Sequence, residues 1–468
     1  MIFTQYYLDC LSQASYLIGD ETTGRAVVVD PRRDVGEYLE DAAAAGLRIE
    51  LVVETHFHAD FVSGHLELAR QTGAEIAYGA AADPDFPHRK LADGERITLG
   101  RVGAGDVPQG VALDVLATPG HTPESISLVV WEDVGADIPY AVLTGDTLFI
   151  GDVGRPDLLS SAGVSASDLA RCLYRSLHDK LLRLPDATRV YPAHGAGSAC
   201  GKNLSTATVS TIGEQRVTNY ALVLPDEDAF VAAVTADQPA APAYFGYDAA
   251  RNKADHPLLD ETPPPALSLE GVLRLQEAGA TVLDTREPND FAAGHVAGAI
   301  NVGLSGRYAE YAGSVLDPET DVIVVTDPGH EAEAKTRLAR IGFDRVVGHL
   351  AEPAAALTAA PEAARHASRL DMDQLATARA DVDPALIDVR NPGEVSQGQI
   401  PGAVPIPLGQ LRARLGELDA QRPTVVYCAS GFRSSIAASL LRAAGFPDVS
   451  DLKGGYNAWS ARHPATTG

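Results

Sequence analysis

His56, His58 and Asp60 stand close together in Thr55-His56-Phe57-His58-Ala59-Asp60-Phe61-Val62-Ser63-Gly64-His65, directly after the apolar run Ile49 to Val53. Imidazole nitrogens and carboxylate oxygens are donors that zinc and iron share, and a buried strand seldom ends in three ionisable groups unless they hold something charged. Three more candidate ligands sit at the ends of strand-like runs: His121 in Thr118-Pro119-Gly120-His121-Thr122, Asp146 in Thr144-Gly145-Asp146-Thr147, and His194 in Pro192-Ala193-His194-Gly195. A glycine beside each lets the backbone pass close to a bound ion or turn sharply next to it. A second kind of chemistry is written far downstream. Thr424 to Tyr427 reads as a buried strand ending at Cys428, followed by Ala429-Ser430-Gly431-Phe432-Arg433 and a helix from about Ser434. A cysteine under a loop of inward-pointing amides, at a helix N-terminus, has its thiolate stabilised and is a nucleophile. Ser430, Gly431 and Arg433 would line the cradle for the group it receives.

The elements that must position these residues are legible in the hydrophobic pattern. Runs at Ala14 to Ile18, Ala26 to Val29, Leu51 to Val53, Glu75 to Tyr78 and Arg96 to Leu99 read as strands, with helices at Gly36 to Ala45 and Gly64 to Thr72 between them. Further strands at Ala112 to Ala117, Ser125 to Trp131 and Tyr140 to Thr144 lead to one helix over about Ala166 to Leu184, and a strand at Arg189 to Tyr191 precedes His194. Proline and alanine then dominate from 236 to 265, which predicts a stiff linker, although Tyr244, Phe245 and Tyr247 would suit a tail wrapping the first domain.

The rest of the chain holds an internal repeat. Leu283-Asp284-Thr285-Arg286-Glu287-Pro288 with Gly294-His295-Val296-Ala297-Gly298-Ala299-Ile300 matches, 104 residues later, Ile387-Asp388-Val389-Arg390-Asn391-Pro392 with Gly398-Gln399-Ile400-Pro401-Gly402-Ala403-Val404. In the second copy Asp388 and Arg390 are expected to form a structural hydrogen-bonded pair. In the first copy the run Val322 to Val325 enters Thr326-Asp327-Pro328-Gly329-His330, and no cysteine lies between 261 and 360. This copy cannot carry sulfur covalently and reads as a spacer or docking domain.

Composition bounds the partners. A chain of 468 residues implies two to four domains. A formal charge of -26 argues against nucleic acid and anionic membrane surfaces as partners, because a phosphate-binding face needs clustered Lys and Arg. No apolar run approaches the roughly 20 residues that span a bilayer. The start, MIFTQYYLDCLSQ, has no basic segment followed by an apolar one, so the expectation is a soluble, cytoplasmic protein. Cys10, Cys172, Cys200 and Cys428 have no CxxC spacing and read as free thiols rather than disulfides or thiolate zinc ligands.

The series HxHxD, PGH, GD and PAHG, in that order, resembles the metallo-β-lactamase fold, and D-x-R-x-P followed by G-x-[IV]-x-G-A resembles the rhodanese domain. The first resemblance implies an αββα sandwich over residues 1–235 with its metal between two sheets; the second implies two small α/β domains with parallel sheets at 266–360 and 368–468, leaving 236–265 as a linker or wrapping tail. The Cx4R spacing from Cys428 to Arg433 is that of sulfurtransferases, whereas related phosphatases and arsenate reductases use a longer Cx5R loop. Over nearly its whole length the chain resembles bifunctional persulfide dioxygenase-sulfurtransferases.

Within that resemblance two activities compete. Hydrolases of the glyoxalase II type bind two metals and need the full HxHxDH set, but the sixth position here is Phe61. His65 could stand in only if a helix projected it back toward the strand end. What remains coherent is His56, His121 and Asp146, two imidazoles and one carboxylate with open positions, a set associated with Fe(II) and O2. The resemblance then implies one Fe(II) per chain, with zinc as the alternative; His58, Asp60 and His194 are outer groups, or second-metal ligands in the hydrolase reading. It further implies that a low-molecular-weight persulfide and O2 give sulfite, and that Cys428 passes sulfane sulfur to sulfite, forming thiosulfate. Cys200 is a persulfide-handling thiol or a packed one, and Arg155 is a clamp for a substrate carboxylate or a pin for its own loop. Glutathione, coenzyme A, bacillithiol and mycothiol all remain open as the thiol carrier. A homo-oligomer, dimer or tetramer, is expected, and the third functional reading is a sulfur carrier without oxygenase activity.

Overall fold

The computed structural model describes residues 1–101, 109–160, 163–202, 204–236, 238 and 240–463. Asp237 and Pro239 of the proline-rich stretch, and 464–468 of the last expected domain, lie outside the described residues. The chain forms two compact units, one of Met1–Ala241 with Phe245–Leu259, the other of Pro242–Tyr244 with the chain from Asp260 onward.

The first unit is built on two six-stranded sheets. One runs in chain order through β1 (Ile2–Leu8), β2 (Gln13–Asp20), β3 (Arg25–Val29), β4 (Arg48–Val53), β5 (Glu75–Gly79) and β6 (Arg89–Leu91). The other holds β7 (Arg96–Thr98), β8 (Ala112–Ala117), β9 (Ile126–Trp131), β10 (Ala141–Gly145), β11 (Arg189–Pro192) and β12 (Ser210–Thr211). Period-two alternation decides which side chains meet. On β3 and β4, Val27, Val29, Leu51 and Val53 join Leu113, Val115, Leu128, Val130 and Leu143 of the other sheet in one buried cluster. Their neighbours Val28 and Val52 face outward onto Tyr38 and Ala42 of α1 (Gly36–Ala44) and Leu68 of α2 (His65–Thr72). The second sheet buries Val129, Val142 and Val190 against Ala170 and Leu173 of α3 (Ala166–Arg175), then Ile212 of α4 (Ile212–Thr218) and Phe230 of α5 (Glu227–Thr235).

The single helix expected over 166–184 is instead three pieces: α3, a π-turn at Ser176–Lys180 and a 3-10 turn at Leu181–Arg183. The widening falls where Ser176 Oγ donates to Pro119 O at 2.7 Å and Lys180 Nζ to Ala117 O at 2.7 Å, so polar anchors on the loop carrying His121 override the regular spacing. Gly120, at φ +151, lies so close to α3 that an added Cβ would sit 2.4 Å from Leu173 Cα. The proline-rich stretch contains a helix, α6 (Phe245–Lys253), which belongs to the first unit.

The second unit contains two parallel sheets of one design. The first orders its strands Ala266–Leu267, Val346–Leu350, Val322–Val325, Thr281–Asp284, Ile300–Asn301; the second orders Ser368–Leu370, Val449–Leu452, Thr424–Tyr427, Ala385–Asp388, Val404–Pro405. Asp284 pairs in register with Val325 and Asp388 with Tyr427, so Thr326 occupies the place of Cys428. Each buried aspartate is neutralised within its own turn: Arg286 Nε donates to Asp284 Oδ1 at 2.9 Å, and Arg390 Nε to Asp388 Oδ1 at 2.9 Å. The same guanidiniums reach Gly294 O at 2.9 Å and Gly398 O at 2.8 Å, closing the following loop. Deleting either partner would strand a buried charge, at a cost of about 3–5 kcal/mol. Among the described residues no helix is long and apolar enough to cross a membrane.

Candidate functional site

The turn that follows β4 carries its polar side chains into a buried cluster. His56 and His58 are 1% and 0% exposed, and His121, Asp146 and His194, arriving from the second sheet, are each 1% exposed. His56, His121 and Asp146 each point one ligand atom to a common place, those atoms lying within 4.8 Å of one another. The Asp146 Oδ2 atom is 3.8 Å from His56 Nε2 and 3.5 Å from His121 Nε2. Backbone closeness makes this possible: a Cβ on Gly154 would fall 1.8 Å from Asp146 O and 3.1 Å from His121 Cβ.

The remote nitrogens are fixed. His121 Nδ1 donates to the Arg155 carbonyl at 2.9 Å, which leaves Nε2 as the lone-pair nitrogen. Thr55 Oγ1 donates to Asp30 Oδ2 at 2.9 Å and accepts from His56 Nδ1 at 2.9 Å, with the same result for His56. The Thr55 backbone N–H donates to Asp30 Oδ1 at 2.7 Å, so one carboxylate aims the whole turn. His56 Nε2 and Asp146 Oδ2 are left buried with no hydrogen-bond partner. Two aimed imidazoles and an anionic oxygen, with His56 Nε2 and Asp146 Oδ2 unsatisfied, fit a divalent cation.

The electrostatics point the same way. Burial holds the His56 imidazole well below its usual range, with His58 adding to the effect, so it stays neutral. Burial alone would raise the Asp146 carboxyl, but His194 beside it outweighs burial and holds the group far below the usual carboxylate range. His194 is the converse: burial disfavours its charge, yet Asp146 Oδ1 at 2.6 Å and Asp60 Oδ2 at 2.8 Å raise it well above the usual imidazole range. Its proton balances the charge of these two buried carboxylates.

A second set, His58, Asp60 and His194, also brings its ligand atoms within 4.8 Å. There His58 is drawn aside, its Nε2 lying 3.0 Å from Asp30 Oδ1 and 3.5 Å from Glu54 Oε2. Glu54 is pushed well above the usual carboxyl range by burial and by Asp30. Phe61, 1% exposed, sets its ring 4.4 Å from that of His58. His65 belongs to no such ligand group among the described residues; it opens α2 with its ring 4.9 Å from Phe86 and its Nδ1 3.9 Å from Glu54.

Cys200 is buried beside this pocket, its sulfur grouped with Asp146 and His194, and burial together with Asp60 and Asp146 pushes the thiol well up. Arg155, 2% exposed, places Nε and Nη2 each 2.7 Å from the Asp157 oxygens and Nη1 3.1 Å from Ala199 O. Those contacts hold the 152–157 loop to the segment carrying Cys200.

The residue least visible in the sequence is Asn252 of α6. Its Nδ2 donates to His58 O and Phe61 O, both at 2.8 Å, and its Oδ1 accepts from Ser63 N at 2.8 Å. A side chain 1% exposed thus ties the whole HxHxD turn from a distant part of the chain. Asn252→Ala leaves two carbonyls and one amide buried without partners. The expected outcome is roughly 2–4 kcal/mol of lost stability and about 10–100-fold weaker metal binding, read by thermal unfolding and metal titration of the full chain. An unchanged metal affinity would remove Asn252 from this role.

In the second unit Cys428 is 1% exposed. The Gly431 N–H donates to its sulfur at 3.2 Å, and Ser434 Oγ lies 3.6 Å away. Gly431 takes φ +106, a left-handed conformation that turns its amide inward, and the helix Phe432–Ala443 begins immediately after it. Arg433 meets both Glu394 oxygens at 2.7 Å.

Residues 8–194 match the Metallo-beta-lactamase superfamily, and residues 268–352 and 371–462 each match the Rhodanese-like domain. Over 222 residues the chain is 32% identical to Persulfide dioxygenase ETHE1, mitochondrial, of Homo sapiens, spanning 46% of this chain and 73% of that protein. The chain belongs to the metallo-beta-lactamase superfamily. Its other superfamily relatives include a probable metallo-hydrolase of Burkholderia pseudomallei, 32% identical over 213 residues, or 38% of this chain and 67% of that protein. A solved metallo-beta-lactamase from Staphylococcus aureus subsp. aureus COL superposes with a TM-score of 0.66 at 32% identity, covering 75% of this chain and 99% of that one. This is a metallo-beta-lactamase domain with persulfide dioxygenase homologues, followed by two rhodanese-like domains.

Proposed function

We propose that the first unit oxidises a low-molecular-weight persulfide to sulfite with O2 at one iron(II), and that Cys428 carries a second sulfane sulfur to sulfite, giving thiosulfate. The observation that carries the first half is the buried set His56, His121 and Asp146, one carboxylate and two imidazoles with fixed tautomers, beside a Phe61 ring where a further ligand would stand. Iron(II) held by those three would supply O2 chemistry at the open positions. The balance is RSSH + O2 + H2O giving RSH, SO3²⁻ and two protons. Thr55 with Asp30, and the Arg155 carbonyl, hold the imidazoles in place; Asp60 and Asp146 keep a proton on His194 at the pocket's edge. Similarity to the human persulfide dioxygenase and the two rhodanese-like domains supports the pairing of activities.

One observation favours a second reading, a dinuclear thioester hydrolase: His58, Asp60 and His194 are also within ligand distance of one another. Metal analysis combined with O2 uptake separates the two. The expected result is one iron per chain and persulfide-dependent O2 consumption with sulfite as product. Two zincs per chain and hydrolysis of S-lactoylglutathione without O2 uptake would establish the hydrolase instead, and an iron-loaded chain that consumes no O2 would leave a sulfur carrier.

A further inference from the structure

The rhodanese-like copy without a cysteine reaches the Cys428 loop at several points. The Asn301 N–H donates to Ser439 Oγ at 2.9 Å, on the helix that follows Cys428. At Gly303 an added Cβ would lie 3.3 Å from Phe432 Cε2, so this loop rests on the Phe432 ring. Tyr311, on the helix Tyr308–Val315 of the same copy, stands with its ring 5.5 Å from that of Phe432, tilted by 52°. Phe432 lies in the sulfur cradle itself, between Gly431, whose amide meets the Cys428 sulfur, and Arg433.

The donors around this mouth are unequally committed. Arg433 is spent on Glu394, and Arg307 on Glu310. Tyr311 is half-buried, and its hydroxyl makes no hydrogen bond among the described residues. Burial pushes its phenol up against the opposing pull of Arg433 and Arg307, so it remains a protonated donor. A neutral O–H with no partner among the described residues, on a ring that packs against Phe432 of the sulfur cradle, can donate to one oxygen of a small oxyanion.

We propose that Tyr311, contributed by the cysteine-less copy, is a specificity-determining residue for the sulfur acceptor, its hydroxyl donating to a sulfur oxyanion such as sulfite brought against the sulfane sulfur on Cys428. The assignment rests on the reading that Cys428 carries sulfur. In the step it serves, the sulfite sulfur's lone pair attacks the outer sulfur of Cys428–S–SH. The S–S bond breaks, its electron pair returns to Cys428 as thiolate, thiosulfate leaves, and the outer sulfur's proton passes to solvent. No external oxidant or reductant is consumed.

Tyr311→Phe in the full chain tests this, because it keeps the ring and removes the donor. The KM for sulfite should rise about tenfold with kcat changed less than about twofold, while transfer to dithiothreitol, an uncharged acceptor, is unaffected. An unchanged sulfite KM, or an equal loss with both acceptors, would overturn the assignment and leave Tyr311 as packing. Loading of Cys428, read as a sulfur adduct by mass spectrometry, isolates the underlying reading. A native chain that never acquires the adduct sinks the carrier reading and this assignment together, whereas normal loading in both proteins with unaltered sulfite kinetics sinks the assignment alone.

Discussion

Asp146→Asn is expected to strip the metal and to lower persulfide-dependent O2 uptake by at least about a thousandfold, while sulfur transfer through Cys428 continues. Outer groups that merely orient a ligand already cost about 10–100-fold when removed, and Asp146 is both a candidate ligand and the counter-charge for its neighbours. Its Oδ2 faces His56 and His121, and its Oδ1 holds His194 at 2.6 Å. An amide of the same shape carries no charge, so it weakens the attraction for a cation and also withdraws one of the two carboxylates that keep His194 protonated. Both effects act among side chains only 1% exposed, where charge interactions are screened least. Metal content by plasma emission and O2 uptake on an electrode read the result. A variant that keeps a full complement of iron and its O2 uptake would mean that Asp146 is not a ligand.

How far the sequence shows this site depends on how far apart in the chain its parts lie. His56, His58 and Asp60 share one turn, and the strand before them announces itself by the run Leu51 to Val53. Phe61 is readable for the same reason, since an apolar residue interrupts a local pattern. The rhodanese repeat is readable because its turns recur at fixed offsets around Asp284 with Arg286 and Asp388 with Arg390. Asn252 has no such signal. It sits in a stretch whose prolines suggest a linker, and its role exists only because α6 folds back onto the HxHxD turn. Asp30, at φ +51, is similar: nothing near it in the chain says that it will hold Thr55 and stand 3.0 Å from His58. The break in the helix after Arg175 follows from anchors to Pro119 and Ala117, groups that a periodicity argument never sees. Tyr311 is the extreme case, because nothing in a copy read as a spacer or docking domain for want of a cysteine says that this residue will place its ring on the other copy's loop.

Cys428→Ser should abolish thiosulfate formation, by at least about a thousandfold, and leave O2 uptake intact, so that sulfite accumulates in its place. Serine fits the cradle: its oxygen can accept from the Gly431 amide that now meets sulfur at 3.2 Å, and the buried position changes little in volume. What is lost is the nucleophile, since an alcohol held by the same amide does not take up sulfane sulfur. The other buried thiol with a claim on persulfide chemistry is Cys200, but burial and the carboxylates of Asp60 and Asp146 push its thiol well up. It is therefore a poor substitute for an amide-cradled sulfur at a helix N-terminus. Assays with a thiol persulfide and sulfite, following thiosulfate and O2 in the same vessel, distinguish the outcomes. Persistent thiosulfate in the variant would show that sulfite meets sulfane sulfur elsewhere in the chain, and parallel loss of O2 uptake would show that the two chemistries are not the separate activities their separate residues imply.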